Sequence, residues 1–112
     1  MKKKKLLAIV DDWERLERYE ERLHVLFDFH SSPFGGHGIE LAVIERPDVI
    51  LLDLEFEDMN AEEALSLIRA QDSLRNIPVV VISGVEILGE EVCFLERPVS
   101  IEKLRQFLET LS

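Results

Sequence analysis

The apolar residues of this chain change period as the chain advances, from unbroken runs to helical spacing and back. Leu6 to Val10 is an unbroken apolar run and reads as a buried strand. Trp13, Leu16, Tyr19 or Glu20, and Leu23 then fall at helical spacing, and Asp11 with Glu14 has the spacing of a capping box for that helix. Val25 to Phe29 reads as a second strand, followed by a loop over Ser31 to Gly36. A helix with Ile39, Ala42 and Val43 on one face ends at Pro47. Val49 to Leu52 is a third, central strand, apolar on both faces as parallel strands are. Asn60 with Glu63 repeats the capping pattern before a helix that buries Ala64, Leu65 and Ile68. Pro78 introduces a fourth strand, Val79 to Ile82, and Val92 to Leu95 is a fifth. After Pro98-Val99-Ser100 comes a last helix, with Ile101, Leu104, Leu108 and Leu111 on one face. Strands and helices alternate throughout, the signature of an α/β fold with a parallel sheet.

The connection between the fourth and fifth strands is short. A parallel crossover ordinarily takes a dozen or more residues and contains a helix. Only Ser83 to Glu91 is available here. Such a segment reaches roughly 30 Å when extended, enough to return along one strand but not to hold a helix of several turns. The expectation is an extended crossover or a single helical turn, with this helix truncated or absent.

Acidic residues end two of the strands. Asp53 closes the central run, and Asp11-Asp12 closes the first. In open parallel sheets the ligand crevice lies outside the carboxyl ends of the strands. Three carboxylates converging there repel one another by roughly 4 kcal/mol per pair at 4 Å and an effective dielectric of about 20. A divalent cation or a bound proton would relieve that repulsion. Mg²⁺ takes oxygen ligands and suits one or two carboxylates together with a phosphoryl group. The pattern therefore points to an acidic, Mg²⁺-dependent, phosphate-handling pocket.

Composition narrows the classes. At 112 residues, 46% hydrophobic and 32% charged, the chain is expected to form one globular domain. No run approaches the ~20 apolar residues of a membrane span, and the apolar stretch behind Lys2 to Lys5 is too short for a signal peptide. A net charge of −10 argues against direct nucleic-acid binding. A single cysteine, Cys93, expected to be buried in a strand, fits a reducing cytoplasm. His24, His30 and His37 lack metal-ligand spacing. Gly35-Gly36-His37-Gly38 is not a phosphate loop, and Gly38 is expected to allow close helix packing. Trp13 is expected to pack the first helix onto the sheet.

Taken in order, these pieces resemble the receiver domain of two-component response regulators over essentially the whole chain. The residues that carry the resemblance are Ile9-Val10-Asp11-Asp12, Arg46-Pro47-Asp48-Val49-Ile50-Leu51-Leu52-Asp53, Ser83, and Arg97-Pro98. The resemblance implies a flavodoxin-like, doubly wound, five-stranded parallel sheet of order 2-1-3-4-5. It implies that Asp53 accepts a phosphoryl group from a histidine kinase or histidine phosphotransfer protein. Mg²⁺ would be held by Asp12 directly, by Asp11 through water, by Asp53, and by the backbone carbonyl of Glu55. Ser83 would bind a phosphoryl oxygen, Arg97 would supply the cation, and Phe94 would be the aromatic residue that rotates on activation. The activity is that of a phosphoacceptor signalling domain rather than an enzyme acting on a separate substrate.

Three positions depart from the family pattern. Arg97 stands where the family has lysine, and the two are not interchangeable. Glu57 and Ala61 replace the usual proline and glycine after Asp53, adding charge beside the site. The short fourth crossover removes a helix that the family uses for output. The expectation is a single receiver domain over residues 1–112 with no effector domain, cytoplasmic, a monomer or weak homodimer. It would act by contact with a downstream protein, chiefly through its first and last helices. The alternative is a pseudo-receiver, a phosphorylation-independent interaction module in which Arg97 is salt-bridged to Asp53. An aspartyl-phosphate hydrolase is a third reading, disfavoured by a length that leaves no room for a cap domain.

Overall fold

Five successive residues with no solvent exposure, Leu6 to Val10, require a strand covered on both faces. In the computed structural model, which describes residues 2–54, 59–87 and 92–111, that strand is β1 (Lys4–Val10) and it lies inside a parallel sheet. The elements that follow are α1 (Trp13–Leu23), β2 (Phe27–Ser32), α2 (Gly35–Glu45), β3 (Val49–Asp53) and α3 (Ala61–Arg69). A 3₁₀ turn (Asp72–Leu74), β4 (Val79–Ser83), β5 (Val92–Glu96) and α4 (Ile101–Leu111) complete the chain. The strand order is β2-β1-β3-β4-β5, every pair parallel. This is the flavodoxin-like sheet that the resemblance implies. The described part of the β4–β5 connection, residues 84–87, holds no helix, and residues 88–91 of this crossover lie outside the described residues.

Alternation along each strand divides the core in two. Leu6, Ala8, Val10, Val80 and Ile82 pack with Leu16, Tyr19 and Leu23 of α1 and Leu104 and Leu108 of α4. Leu7, Ile9, Val79 and Val81 pack on the other side with Ile39 and Ala42 of α2 and Ala64 and Ile68 of α3. Register then sets the ends level. Val10 pairs with Asp53 and Ser83 with Glu96, so the carboxyl ends of β1 and β3 open at one rim.

Several local expectations change. The α1 cap is Asp12, whose carboxylate accepts the N–H groups of Glu14 and Arg15, not Asp11. Trp13, the first residue of α1, is 63% exposed rather than packed on the sheet. β2 begins at Phe27, since the turn after α1 takes up Val25 and Leu26 and leaves both exposed. Ser31 and Ser32 extend β2, and Gly35 and Gly36 already belong to α2. Val43 is exposed rather than on the packed face of α2. Cys93 is half-buried, as β5 is an edge strand. No helix among the described residues is long and apolar enough to cross a membrane.

Gly38 does allow close packing. A Cβ there would lie 2.7 Å from Cδ1 and Cγ1 of Ile9, itself fully buried in β1. Gly38→Ala gains up to about 1 kcal/mol of helix propensity but meets an overpacking cost of about 1–3 kcal/mol. The expected result is a net loss of about 1 kcal/mol in urea denaturation.

Candidate functional site

Asp53 is the last residue of β3, and its side chain is wholly buried. Burial of a carboxylate demands partners, and α1 and the segment after β5 provide them. Arg15 Nη1 donates to Asp53 Oδ1 at 3.1 Å, and Arg97 Nη2 lies 2.5 Å from the same oxygen. Tyr19 Oη donates to Asp53 Oδ2 at 2.6 Å. Arg15 and Tyr19 are one turn apart on α1, so one helix face delivers both.

The helix is aimed by its cap. Asp12 Oδ1 accepts from the N–H groups of Glu14 and Arg15, fixing where the first turn begins. Asp12 Oδ2 lies 3.8 Å from Arg15 Nη2. The Arg15 guanidinium therefore sits between the carboxylates of Asp12 and Asp53. Arg97 is held from the far side: its N–H donates to the Ser83 carbonyl at 3.0 Å, and Nη2 donates to the Ile82 carbonyl at 3.3 Å. The Arg97–Pro98 peptide is cis.

Two guanidiniums face the buried carboxylate. The Tyr19 phenol is pushed well above its ordinary range, first by burial, then by the negative charge of Asp53 and its hydrogen bond, against the opposing pull of Arg15 and Arg97.

No protein-family model matches the chain. The polar-differentiation response regulator DivK of Brucella anthropi is 27% identical over 85 residues, which cover 69% of this chain and 67% of DivK. The chemotaxis protein CheY4 of Vibrio cholerae superposes with a TM-score of 0.85 at 20% identity, covering 98% of this chain and 99% of that one. The receiver domain of a signal transduction histidine kinase from Syntrophus aciditrophicus superposes with a TM-score of 0.83 at 19% identity, over 96% of this chain and 89% of that one. The chain has the receiver-domain fold.

Within that receiver fold the residues named from sequence gather at the rim, with differences. Asp12 and Asp53 face each other across Arg15. Asp11 is half-buried, its N–H donating to the Asp53 carbonyl at 3.3 Å. Ser83 ends β4, where its hydroxyl accepts the Val85 N–H at 3.1 Å. Phe94 is half-buried against the α2–α3 side of the core. Glu55 and Glu57 lie outside the described residues.

The donor set does not fit a Mg²⁺ ion in this arrangement. Both Asp53 oxygens already accept from cationic or hydroxyl donors, and one Asp12 oxygen caps α1. The space between the two carboxylates is filled by a cation of the chain's own. Among the described residues, no three His, Cys, Asp or Glu side chains come together in a way that would hold a metal. In this arrangement Arg15 lies between the carboxylates of Asp12 and Asp53 and offsets part of the repulsion expected of converging acids.

Sequence reasoning had no place for Arg15, and read Tyr19 only as a core position. A signal was present. A tyrosine on the buried face of a helix needs a partner for its hydroxyl, and the residue one turn earlier is an arginine beside two acids.

Proposed function

We propose that this chain is a two-component receiver module that acts by protein contact while Asp53 stays in its internal ion pair, unphosphorylated. The observation that carries this reading is the complete burial of Asp53 with both carboxylate oxygens engaged. A carboxylate nucleophile needs an oxygen open to in-line approach, with cations placed to stabilise the transferred phosphoryl group rather than the attacking acid. Here the cations hold the acid. Receiver domains are signalling domains that meet histidine kinases and downstream targets, and we assign this chain partners of those kinds in the cytoplasm. The exposed faces of α1 and α4, including Trp13, offer the contact surface.

A second reading keeps Asp53 as phosphoacceptor for a histidine kinase or phosphotransfer protein. The level register of Val10 and Asp53 favours it, because it sets Asp11 and Asp12 beside Asp53 as a receiver requires. The relation to a response regulator, DivK, points the same way. In that case Arg15 and Arg97 would turn from Asp53 onto the phosphoryl oxygens, with Ser83 beside them.

Intact mass separates the two. Wild-type protein and Asp53→Asn are incubated with acetyl phosphate and Mg²⁺. The expected result is no adduct on either. A phosphoryl adduct on the wild type that is missing from Asp53→Asn would overturn the first reading and establish the second.

A further inference from the structure

Beyond the carboxyl end of β3, between α1 and the segment leading into α4, lies a cleft of about 480 Å³. Arg15, Tyr19 and Arg97 line it, and the same three side chains hold the Asp53 carboxylate. Asp53 itself is not among the lining residues, and its side chain has no exposure. The acid therefore lies one layer behind the cleft, and its own partners form that layer.

Two of the three partners come from one helix. Tyr19 reaches Oδ2 at 2.6 Å from a ring that is itself buried, and Arg15, one turn earlier, reaches Oδ1 at 3.1 Å. Their common mounting is α1, seated on the sheet by Leu16 and Leu23 and capped by Asp12. Arg97 is anchored elsewhere, through its N–H to the Ser83 carbonyl. A carboxylate attacks phosphorus through an oxygen lone pair, so the attacking oxygen has to be released by its donor and opened to the incoming group. We propose that α1 is a latch on Asp53, in which the Tyr19 side chain, bonded to Oδ2 and seconded by Arg15, keeps that oxygen from a phosphoryl donor in the cleft. Displacement of α1 from the sheet breaks both bonds together and leaves Arg97 on Oδ1. Oδ2 can then form a bond to phosphorus while the bond from phosphorus to the donor's leaving oxygen breaks, the leaving group departing with the electron pair. A protein that draws α1 outward thus biases the site from shut to open.

The latch rests on the reading that wild-type Asp53 stays unphosphorylated, and one experiment separates the failure of either. Wild type, Tyr19→Phe and Tyr19→Leu are incubated under the acetyl phosphate conditions above, with acetate as the leaving group, and their intact masses are measured. Urea denaturation establishes that each variant is folded in that buffer. Gly38→Ala, strained against Ile9 on the opposite face of the sheet, controls for loss of stability alone. The expected result is the added mass of one phosphoryl group on Tyr19→Leu, which loses the hydroxyl and shortens the side chain. Tyr19→Phe, which loses the hydroxyl only, is expected to gain it more slowly. Wild type, Gly38→Ala and the double variant Tyr19→Leu with Asp53→Asn should gain none. Absence of an adduct from both folded Tyr19 variants, or equal labelling of Gly38→Ala, would overturn the latch. An adduct on the wild type would instead overturn the reading beneath it.

Discussion

Replacing Arg15 and Arg97 together by methionine is expected to cost about 3–5 kcal/mol of stability at neutral pH, the usual loss when a buried charge is left without its partners. Methionine keeps most of each side chain's apolar stem, so the change removes charge more than packing. The two ends of the ion pair are unequal. The Asp53 side chain has no exposure, whereas those of Arg15 and Arg97 are 21% and 20% exposed. An arginine that loses Asp53 can turn towards water; Asp53 that loses both arginines cannot. Asp53→Asn alone is therefore expected to cost less than the double arginine variant. Adding Asp53→Asn to that double variant should restore much of the loss. Each single arginine variant should lose less than half of the double, since the other guanidinium remains on Oδ1. Urea denaturation of the set checks the order. A double variant within about 1 kcal/mol of wild type would show that the arginines are ornamental to the fold.

The same asymmetry explains what was legible in the sequence. β1 and β3 were plain because residues buried on both faces form unbroken apolar runs, and Asp12, Asp53 and Arg97 were plain because each stands at or just beyond a strand end. β2 starts two residues later and ends three residues later than its apolar pattern suggests. Val25 and Leu26 look like strand residues but lie in the turn, while Ser31 and Ser32 look like loop yet pair with Ala8 and Ile9 along the sheet edge. Ser32 is buried because its hydroxyl bonds locally, to the backbone of Phe34 and to His37. A hydrophobicity pattern does not register that.

At the site, the acids were counted without the helix that faces them. Arg15 and Tyr19 reach Asp53 across 38 and 34 residues of sequence. Only the packing of α1 on the sheet, set by Leu16 and Leu23 and aimed by the Asp12 cap, brings them there. The resulting network joins Asp12, Arg15, Tyr19, Asp53 and Arg97 at the rim. A partner or ligand that offers another anion to Arg15 or Arg97 competes with Asp53, and a change at Asp53 is felt along α1.

The sharpest readout of that network is alkaline. Tyr19 is the chain's one tyrosine, so its titration is not obscured by others. Burial and the Asp53 carboxylate raise its phenol far above the ordinary value near 10.0. The unfolded chain loses this proton at about pH 10, whereas the folded protein keeps it. A raised folded-state value means that the stabilisation is fully present below the unfolded value and is lost as pH climbs towards the folded one. In that window stability should fall by roughly 1.4 kcal/mol per pH unit from this group alone. Tyr19→Phe removes the donor to Oδ2 and should cost about 1.5–3 kcal/mol at neutral pH, the range for a hydrogen bond to a charged group. It should also remove this part of the alkaline slope, so that the stabilities of the two proteins converge above about pH 10. Lysine titration is common to both and drops out of the difference. Urea denaturation of the pair from about pH 8 to about pH 11, with ultraviolet absorbance following the tyrosinate, tests both parts. Tyrosinate appearing in the folded protein near its ordinary value, with parallel stability curves, would mean that Tyr19 and Asp53 are not coupled as the structure places them. Tyrosinate withheld until the chain unfolds would show that the Tyr19–Asp53 hydrogen bond holds throughout the folded state.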